Sequence, residues 1–288
     1  MPASPRLLRR RIRSIRNTSK ITKAMQLIAA SKMRRAQQMM FDGRPYAEKI
    51  REVLSRLAAV QTISGQAAVP LLEVREPKTT ALILVTPDRG LCGALVANIN
   101  RAAGRTLAET EGNVLVISVG RRGRTFMVRV GAEVKAVFEN LPDRPRLADT
   151  LPISSLVVNL FEQHEVDRVL LGYSRFESAA VQHPAIQNLI PVEPAKMGPH
   201  ELIDYIYEPD PETVLASLLP RYIEMQVYHA ILEAIASEHS ARMVAMKNAT
   251  DAANEMIENL TLALNKARQE SITTEMLDIV GAVAALES

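Results

Sequence analysis

The chain has 288 residues, of which 47% are hydrophobic, 23% charged and only 4% aromatic, and its formal net charge is +3. This length allows one large domain or two small ones, and the low aromatic content is more typical of a helix-rich protein than of a β-sandwich or barrel. A single cysteine, Cys92, excludes an internal disulfide. No apolar run approaches the ~20 residues of a membrane-spanning helix, and the amino terminus lacks the apolar core of a secretory signal.

Positive charge is concentrated at the amino terminus. No acidic residue precedes Asp42, and eleven basic residues do: Arg6, Arg9, Arg10, Arg11, Arg13, Arg16, Lys20, Lys23, Lys32, Arg34 and Arg35. Such a segment can bind nucleic acid or an acidic protein surface, can be a solvated helix face, or can be an organelle transit peptide. The transit peptide is disfavoured because the helical pattern continues into Met39. Nucleic acid is disfavoured because no aromatic residue precedes Phe41 to stack on bases.

A first long helix is predicted from Arg6 to Asp42, a stretch without glycine or proline. Its apolar residues fall in three groups of three, and within each group they recur at steps of three and four, which is helical spacing. The predicted seam is Leu8, Ile12, Ile15, Ile21, Met25, Ile28, Met33, Ala36 and Met40. Gly43-Arg44-Pro45 is expected to kink or interrupt the helix. A second amphipathic stretch ends near Ser64, so residues 1–68 form the predicted amino-terminal arm.

A second long helix is predicted from Arg221 to Val280, where sixty residues contain neither glycine nor proline. At ~1.5 Å per residue this helix would be about 90 Å long, so it needs a partner helix, and residues 205–288 are expected to pair with the amino-terminal arm. The heptad pattern has one extra step of four around His239, a polar seam residue expected to set the register. The seam is Met225, Tyr228, Leu232, Ile235, His239, Met243, Met246, Thr250, Ala253, Ile257, Leu260, Leu264 and Ala267.

Between the two arms the pattern changes to short apolar runs rich in β-branched residues. Strands are predicted at 80–86, 114–119 and 166–173, and helices near 91–109 and 147–164. This alternation predicts a Rossmann-like α/β head domain with a parallel sheet, at residues 78–198. The predicted fold is therefore α/β, with a long antiparallel coiled coil of amino- and carboxyl-terminal helices into which the head is inserted.

Two glycine-containing turns are the candidates for a ligand loop. Asp88 to Gly93 follows the first strand, where open α/β sheets bind ligands, and Gly120 to Gly123 follows the second. Neither has the spacing of a dinucleotide or phosphate loop, so a strand-to-helix turn is the favoured interpretation. Cys92 has no accompanying histidine motif, and the five histidines form no metal-binding pattern. We therefore expect no catalytic residue, no cofactor and no metal.

The carboxyl-terminal segment from Ile279 to Leu286 (IVGAVAAL) is apolar on every side. A helix that is apolar all round must be buried all round, and eight residues cannot span a membrane. We therefore expect other chains to supply an apolar sleeve around this tip.

Six segments resemble one known family. They are KITKAMQLIAASKMRRAQ, RPYAE, DRGLCG, DYIYEPDP, SEHSARMVAMKNATDAANEMI and NKARQESIT. Together they closely resemble the γ subunit of F-type ATP synthases, in the same order and over essentially the whole chain, with the weakest similarity at about 110–200. A coiled-coil nucleic-acid or scaffold protein and an α/β enzyme with helical arms remain the alternatives.

The resemblance implies a non-catalytic rotor. In that family one γ subunit forms the central stalk, which turns inside the hexamer of α and β subunits. Its foot rests on the membrane ring of c subunits beside ε. Ion-driven rotation then takes each β subunit through its nucleotide-binding states for ATP synthesis or, reversibly, hydrolysis. The implied location is peripheral, on the cytoplasmic face of a bacterial plasma membrane, with an organellar inner membrane as the alternative.

The resemblance also implies partner-binding residues. Residues expected to face the β subunits are Lys23, Met25, Glu238, Arg242, Arg268, Gln269 and Thr273. Residues expected to meet the c ring and ε are Tyr205, Tyr207 and Glu208. Glu270 departs from the family pattern, because a small residue is expected between Gln269 and Ser271.

Overall fold

The computed structural model describes residues 4–64, 69–192 and 208–286. Helix α1 spans Pro5–Ser64 and helix α5 spans Pro211–Leu286. The chain forms two compact units, one of Met1–Ile28 with Met243–Ser288 and the other of Ala29–Arg242. Both long helices therefore contribute to both units. No helix in the described ranges has an apolar stretch long enough to cross a membrane.

The larger unit contains a five-stranded sheet in the order β3-β2-β1-β4-β5. Strands β1 to β4 run parallel, and β5 is antiparallel to β4. The strands are β1 Thr79–Val85, β2 Asn113–Val119, β3 Glu133–Phe138, β4 Arg168–Phe176 and β5 Gln182–Ile190. The connecting helices are α2 Leu95–Glu109, α3 Arg121–Arg129 and α4 Leu147–Glu162, and a short 3-10 helix lies at Pro70–Leu72. The prediction of an α/β fold with long terminal helices is confirmed.

Both faces of the sheet are covered, which explains why the central strands are continuously apolar. Alternate residues of β1 point to opposite faces, so Ile83 packs with α4 whereas Leu84 packs with α2 and α3. Parts of the long helices complete the α4 side, through residues such as Leu57 of α1 and Ile223 of α5. The core of this unit therefore includes residues from both terminal helices.

The predicted strands at 80–86, 114–119 and 166–173 correspond to β1, β2 and β4. Helix α3 and strands β3 and β5 were not predicted. The two strands lack the continuous apolar run of a buried strand: β3 alternates between exposed and half-buried residues at the sheet edge, and β5 contains Pro184. An edge strand tolerates proline because one side of its backbone has no strand partner.

The expected interruption at Gly43-Arg44-Pro45 is wrong, because α1 is continuous through Pro45. The glycine at position 43 is explained by packing against α5. A Cβ atom at this position would lie 3.0 Å from Cε1 of His229 on α5, so glycine allows the two helices to approach closely here. Tertiary packing has overridden the local helix-breaking signal.

The smaller unit is an antiparallel helix pair. Thr22 Oγ1 lies 2.7 Å from Thr250 Oγ1, and Ser19 Oγ donates to Asn254 Oδ1 at 2.9 Å. Between residues 246 and 267 of α5, the predicted seam positions are the least exposed: Met246, Thr250 and Ala253 are buried, and Ile257, Leu260, Leu264 and Ala267 are half-buried. The coiled-coil seam predicted for α5 is therefore confirmed in this unit.

The seam predicted for α1 needs a correction in its middle part. Ile21 and Ile28 are 60% and 57% exposed, whereas Thr22 is buried and Ser19 is half-buried. Hydrogen-bonding residues therefore occupy the interface, and the isoleucines point away from it. The predicted seam residues Leu8, Ile12, Met33 and Ala36 are buried, but the assumption that the most apolar residues define the seam was wrong at Ile21 and Ile28.

Candidate functional site

The amino-terminal part of α1 presents uncompensated positive charge. None of the eight arginines and lysines between residues 4 and 28 forms an ion pair within the described ranges of the chain. Ile21 and Leu27, which are 60% and 62% exposed, lie among these cations. This surface can attract acidic groups and can also bury apolar area against a partner.

The predicted partner-binding residues of α1 lie on or beside this surface. Lys23 is exposed, and its Nζ donates to Gln26 Oε1 at 3.3 Å. Met25 is half-buried at the edge of the helix pair. The long, flexible side chain of Lys23 can exchange its bond to Gln26 for a carboxylate at little cost.

The carboxyl-terminal part of α5 is exposed on all sides from residue 268 to 282. Arg268 and Gln269 point into solvent, and Thr273 Oγ1 donates to the Gln269 carbonyl at 2.9 Å. Several large apolar side chains share this exposure: Met276 (62%), Leu277 (65%), Ile279 (64%) and Val280 (63%). Exposed apolar surface of this extent is typical of a site that binds another protein.

The residues predicted to meet the c ring and ε are only partly described. Glu208 is exposed just before α5 begins. Tyr205 and Tyr207 lie outside the described residues.

Glu238 and Arg242 are engaged within the chain. Arg242 Nη2 donates to Glu238 Oε1 at 2.6 Å and to the Gly90 carbonyl at 3.1 Å. Their side chains are only 18% and 12% exposed. Burial raises the pKa of the Glu238 carboxyl, and the adjacent guanidinium opposes that rise. The pair joins α5 to the turn after β1, and its contact with a partner remains a prediction.

A second polar group surrounds His239, which is 5% exposed. Its Nε2 lies 3.6 Å from Asp143 Oδ1, and its Nδ1 lies 3.3 Å from Arg242 Nη1. Burial and the charge of Arg242 lower the pKa of His239 to about 4, although Asp143 acts in the opposite direction. Burial alone would raise the pKa of Asp143, but the hydrogen bond and charge of Lys32 lower it. His239 is therefore a neutral, buried link between α5 and the segment before α4.

The corner at the start of α3, where this fold class often binds phosphate, is filled by the chain itself. The first three amides of the helix, those of Arg121, Arg122 and Gly123, donate to Asp88 Oδ1, the Pro87 carbonyl and Thr86 Oγ1. Gly120 has φ +94, and a Cβ there would lie 1.9 Å from the Thr86 carbonyl oxygen. The predicted strand-to-helix turn is thus a tight packing turn whose amides already have partners.

Helix α5 also contacts the carboxyl end of β4 and the loop that follows it. Glu233 accepts a hydrogen bond from the Phe176 amide, and Ser237 Oγ donates to the Ser174 carbonyl. Ser240 Oγ donates to the Ala179 carbonyl at 2.6 Å. With the Arg242 bond to Gly90 after β1, these contacts place α5 against the crevice beside β1 and β4, where open α/β sheets hold ligands.

Comparison with known proteins assigns the chain to a family. A family model described as ATP synthase matches residues 4–286. An ATP synthase gamma chain of Dehalococcoides mccartyi is 54% identical over 284 residues, which are 99% of each chain. The chain belongs to the ATP synthase γ family. A γ chain of Chloroflexus aurantiacus is 47% identical, with both chains covered completely.

Solved structures of ATP synthases share this fold. A Tetrahymena thermophila mitochondrial ATP synthase structure of the central stalk and c ring matches with a TM-score of 0.61 and 26% identity, over 80% of this chain and 99% of that one. A chain of the Euglena gracilis mitochondrial ATP synthase matches with a TM-score of 0.67 and 20% identity, over 98% of this chain and 94% of that one. The predicted function, the γ chain of an ATP synthase, is confirmed by the family model and by the relatives.

Proposed function

We propose that this γ chain is a non-catalytic shaft that turns inside a hexamer of α and β subunits. The observation that carries the proposal is the carboxyl-terminal part of α5. Its last turns expose Met276, Leu277, Ile279 and Val280, each by more than 60%. At about 25 cal/mol per Å² of apolar area, a surrounding sleeve would stabilise this segment substantially, whereas water leaves it an aggregation hazard.

The basic surface of α1 supports ionic contacts that change during rotation. We infer that Lys23 and Met25 on α1, with Arg268, Gln269 and Thr273 on α5, face the β subunits. Exposed ion pairs contribute ~0.2–1 kcal/mol each, so they can break and re-form at every step without stopping rotation. A shaft alters a partner only if its contacts differ between the partner's states, and replaceable contacts of this kind satisfy that condition.

The structure of the head supports a role in transmitting motion, because the positions where an α/β sheet would bind a ligand are occupied by the chain itself. Amides at the start of α3 are bonded by Thr86, Pro87 and Asp88, and α5 covers the ends of β1 and β4. Catalysis and nucleotide binding are therefore assigned to the partners, and this chain needs no cofactor. We further propose that residues 1–68 and 205–288 form the shaft and that residues 78–198 form the head.

The foot of the shaft is assigned to Tyr205, Tyr207 and Glu208, which would meet the c ring and ε. One copy per complex follows from the proposed position on the axis of the hexamer. The proposed location is peripheral, at the cytoplasmic face of a bacterial plasma membrane, because the most similar relatives reported above are bacterial.

The direct test is isolation of the tagged chain from cells that produce it naturally. We expect α, β, ε and c subunits to co-purify, with one tagged chain per complex when two differently tagged copies are co-expressed. Recovery of both tags in one complex would contradict the single central position. A steeply salt-dependent affinity for DNA, with no protein partner, would favour a nucleic-acid protein instead.

A further inference from the structure

Helix α2 carries a glycine, Gly104, in its interior, although the surrounding structure leaves room for a side chain. A Cβ atom at this position would lie 3.5 Å from Cζ of Phe126 on α3, an ordinary van der Waals distance. Gly120 and Gly123 differ, because a Cβ atom there would lie 1.9 Å and 2.8 Å from atoms of Thr86. Glycine destabilises a helix interior relative to alanine. Within the described residues, packing therefore gives no reason for a glycine at position 104, whereas close approach of another chain would give one.

The contact between Gly104 and Phe126 lies in the groove between α2 and α3. Helix residues three or four positions apart share a face. Arg101 is therefore one turn from Gly104 on α2, and Arg129 is one turn from Phe126 on α3. Arg105 directly follows Gly104 and is one turn from Arg101. These residues form a surface that we call the α2–α3 groove: Arg101, Gly104, Arg105, Phe126, Arg129 and Val130.

The α2–α3 groove is open to solvent. Its three arginines are exposed, Val130 is 52% exposed, and Gly104 and Phe126 are half-buried. Among the described residues, the core beneath the groove includes none from α1 or α5, which pack on the α4 side of the sheet. The groove is therefore accessible to a second molecule.

The groove is also positively charged. Helix α2 carries two arginines and α3 carries four, and the only acidic residue on either helix is Glu109 at the end of α2. On α3, Arg121 and Arg124 approach Glu139 at 3.6 and 3.2 Å. In the described part of the chain, by contrast, none of the three groove arginines forms an ion pair, and Glu109 forms none either. Cations without a counter-charge attract carboxylates.

We propose that the α2–α3 groove binds an acidic amphipathic helix of a protein partner. Carboxylates of that helix face the three groove arginines, and its apolar side chains cover Phe126 and Val130. Because Gly104 has no side chain, the backbone of the partner helix can approach α2 closely. The inference goes beyond the proposed function, since it concerns the side of the sheet opposite to the long helices.

The dimensions of the groove favour a single helix over a bilayer or a duplex. Packed helices lie about 8–10 Å apart, so the groove between two of them accommodates one partner helix but not the wider nucleic-acid duplex. Arg101 and Arg105 are about 6 Å apart along the axis of α2, which matches carboxylates at positions i and i+4 of a partner helix. A planar bilayer would reach the arginines but would leave the half-buried ring of Phe126 between the helices uncovered.

The substitution Gly104→Ala separates binding from folding. Alanine favours the helix, and its methyl group would meet Phe126 at an ordinary distance. The thermal midpoint should therefore stay equal to or above that of the wild type. The same methyl group would hold the partner helix away from α2.

A second variant tests the charge of the groove. Arg101→Gln with Arg129→Gln removes one cation from each helix. Lys135→Gln with Arg144→Gln is the matched control, because both residues are exposed cations outside the groove. Lys135 pairs with Glu165, which follows α4 on the other side of the sheet.

The measurement uses the isolated full-length chain with a fluorescent label on Ala108→Cys. Ala108 is exposed one turn after Gly104, and native Cys92 is 2% exposed, so the label is confined to the groove. The probe is a synthetic helical peptide with glutamates at every fourth position beside a row of leucines. A label at this position reports binding in the groove and not at the basic surface of α1.

We expect the wild-type chain to bind this peptide and not a peptide with glutamine in place of glutamate. Arg101→Gln with Arg129→Gln should weaken binding about 10-fold, since an exposed ion pair contributes roughly threefold to affinity. Gly104→Ala should weaken it about 5-fold, the lower end of the effect of overpacking a close contact. Lys135→Gln with Arg144→Gln should bind like the wild type.

Other results would overturn the inference. Equal losses for the two double variants would show that only the overall charge matters. If Gly104→Ala bound like the wild type, close approach would be excluded, and a lower thermal midpoint would show that the glycine serves the fold. A wild-type chain that responds to phosphatidylglycerol vesicles or duplex DNA but not to the peptide would have another ligand in the groove. The proposed function is tested separately by co-purification, so its failure is distinguishable from these results.

Discussion

Substitution of His239 by glutamine is expected to remove a large part of the pH dependence of stability. The side chain is 5% exposed, and its pKa falls from 6.5 to about 4 on folding. Between these values the unfolded chain binds a proton that the folded chain excludes, so the stability present above pH 6.5 is lost as the pH falls. The full effect corresponds to roughly 3 kcal/mol below pH 4, because one pKa unit is worth about 1.4 kcal/mol.

Burial and the charged groups that face His239 together determine the direction of its pKa shift. Arg242 lies 3.3 Å from Nδ1 and disfavours a second positive charge, whereas Asp143 at 3.6 Å from Nε2 favours it. Burial is the largest cause and disfavours the charged imidazole, so the net result is a neutral His239. Glutamine retains hydrogen-bonding capacity but cannot be protonated.

The assay is urea denaturation of the isolated chain, followed by circular dichroism at pH 7.5 and pH 4.5. The wild type should lose about 2 kcal/mol more than His239→Gln over this range, since protonation of the unfolded chain is then nearly complete. His183→Gln is the matched control, because His183 lies on the surface and its side chain is 61% exposed. Equal losses for wild type and His239→Gln would refute the buried, neutral imidazole.

Three further outcomes are expected. Asp88→Ala removes an acceptor of two backbone amides and should lower the free energy of unfolding by about 1–2 kcal/mol. Asp88→Asn should have an intermediate effect. If urea denaturation showed Asp88→Ala to be as stable as the wild type, this role would be contradicted. Thr250→Val should cost about 1 kcal/mol because it removes the hydroxyl that faces Thr22, and adding Thr22→Val should cost little more because the contact between the two hydroxyls is already lost; fully additive losses would count against the buried pair. A Gly-Gly insertion after Ala253 should reduce torque in single-molecule rotation more than it reduces assembly, and unchanged torque would exclude a stiff shaft.

The sequence was most informative where one physical requirement dominated. The central strands β1, β2 and β4 were predictable because burial on both sheet faces requires continuous apolar runs. The seam of α5 from Met246 to Ala267 was predictable because a long helix must bury one stripe. In both cases the pattern of apolar side chains follows directly from which residues are buried.

Prediction failed where tertiary contacts replaced the local signal. Pro45 does not end α1, because packing of that region stabilises the helix, and Gly43 serves close contact with His229. Ile21 and Ile28 were assigned to the seam for their hydrophobicity, but Thr22 occupies it by bonding Thr250. A hydrogen-bonded polar pair inside a helix interface leaves no trace in an apolar pattern.

The candidate site could be predicted only in part from the sequence. The exposed cations of α1 and the apolar end of α5 follow from composition and periodicity. The bond from Arg242 to the Gly90 carbonyl, by contrast, joins residues 152 positions apart, and no spacing rule predicts such a contact. Separation in sequence also hides the role of Asp88, whose carboxylate accepts the first amide of a helix that begins 33 residues later.

We propose that this γ chain turns relative to the catalytic subunits during ATP turnover. The most direct test is a reversible disulfide between Lys23→Cys on α1 and a cysteine placed on the facing β subunit of the intact complex. Native Cys92 is 2% exposed and should not compete for the bond. We predict that ATP turnover stops when the bond forms and returns after reduction. Full turnover with the bond intact would contradict the rotary account.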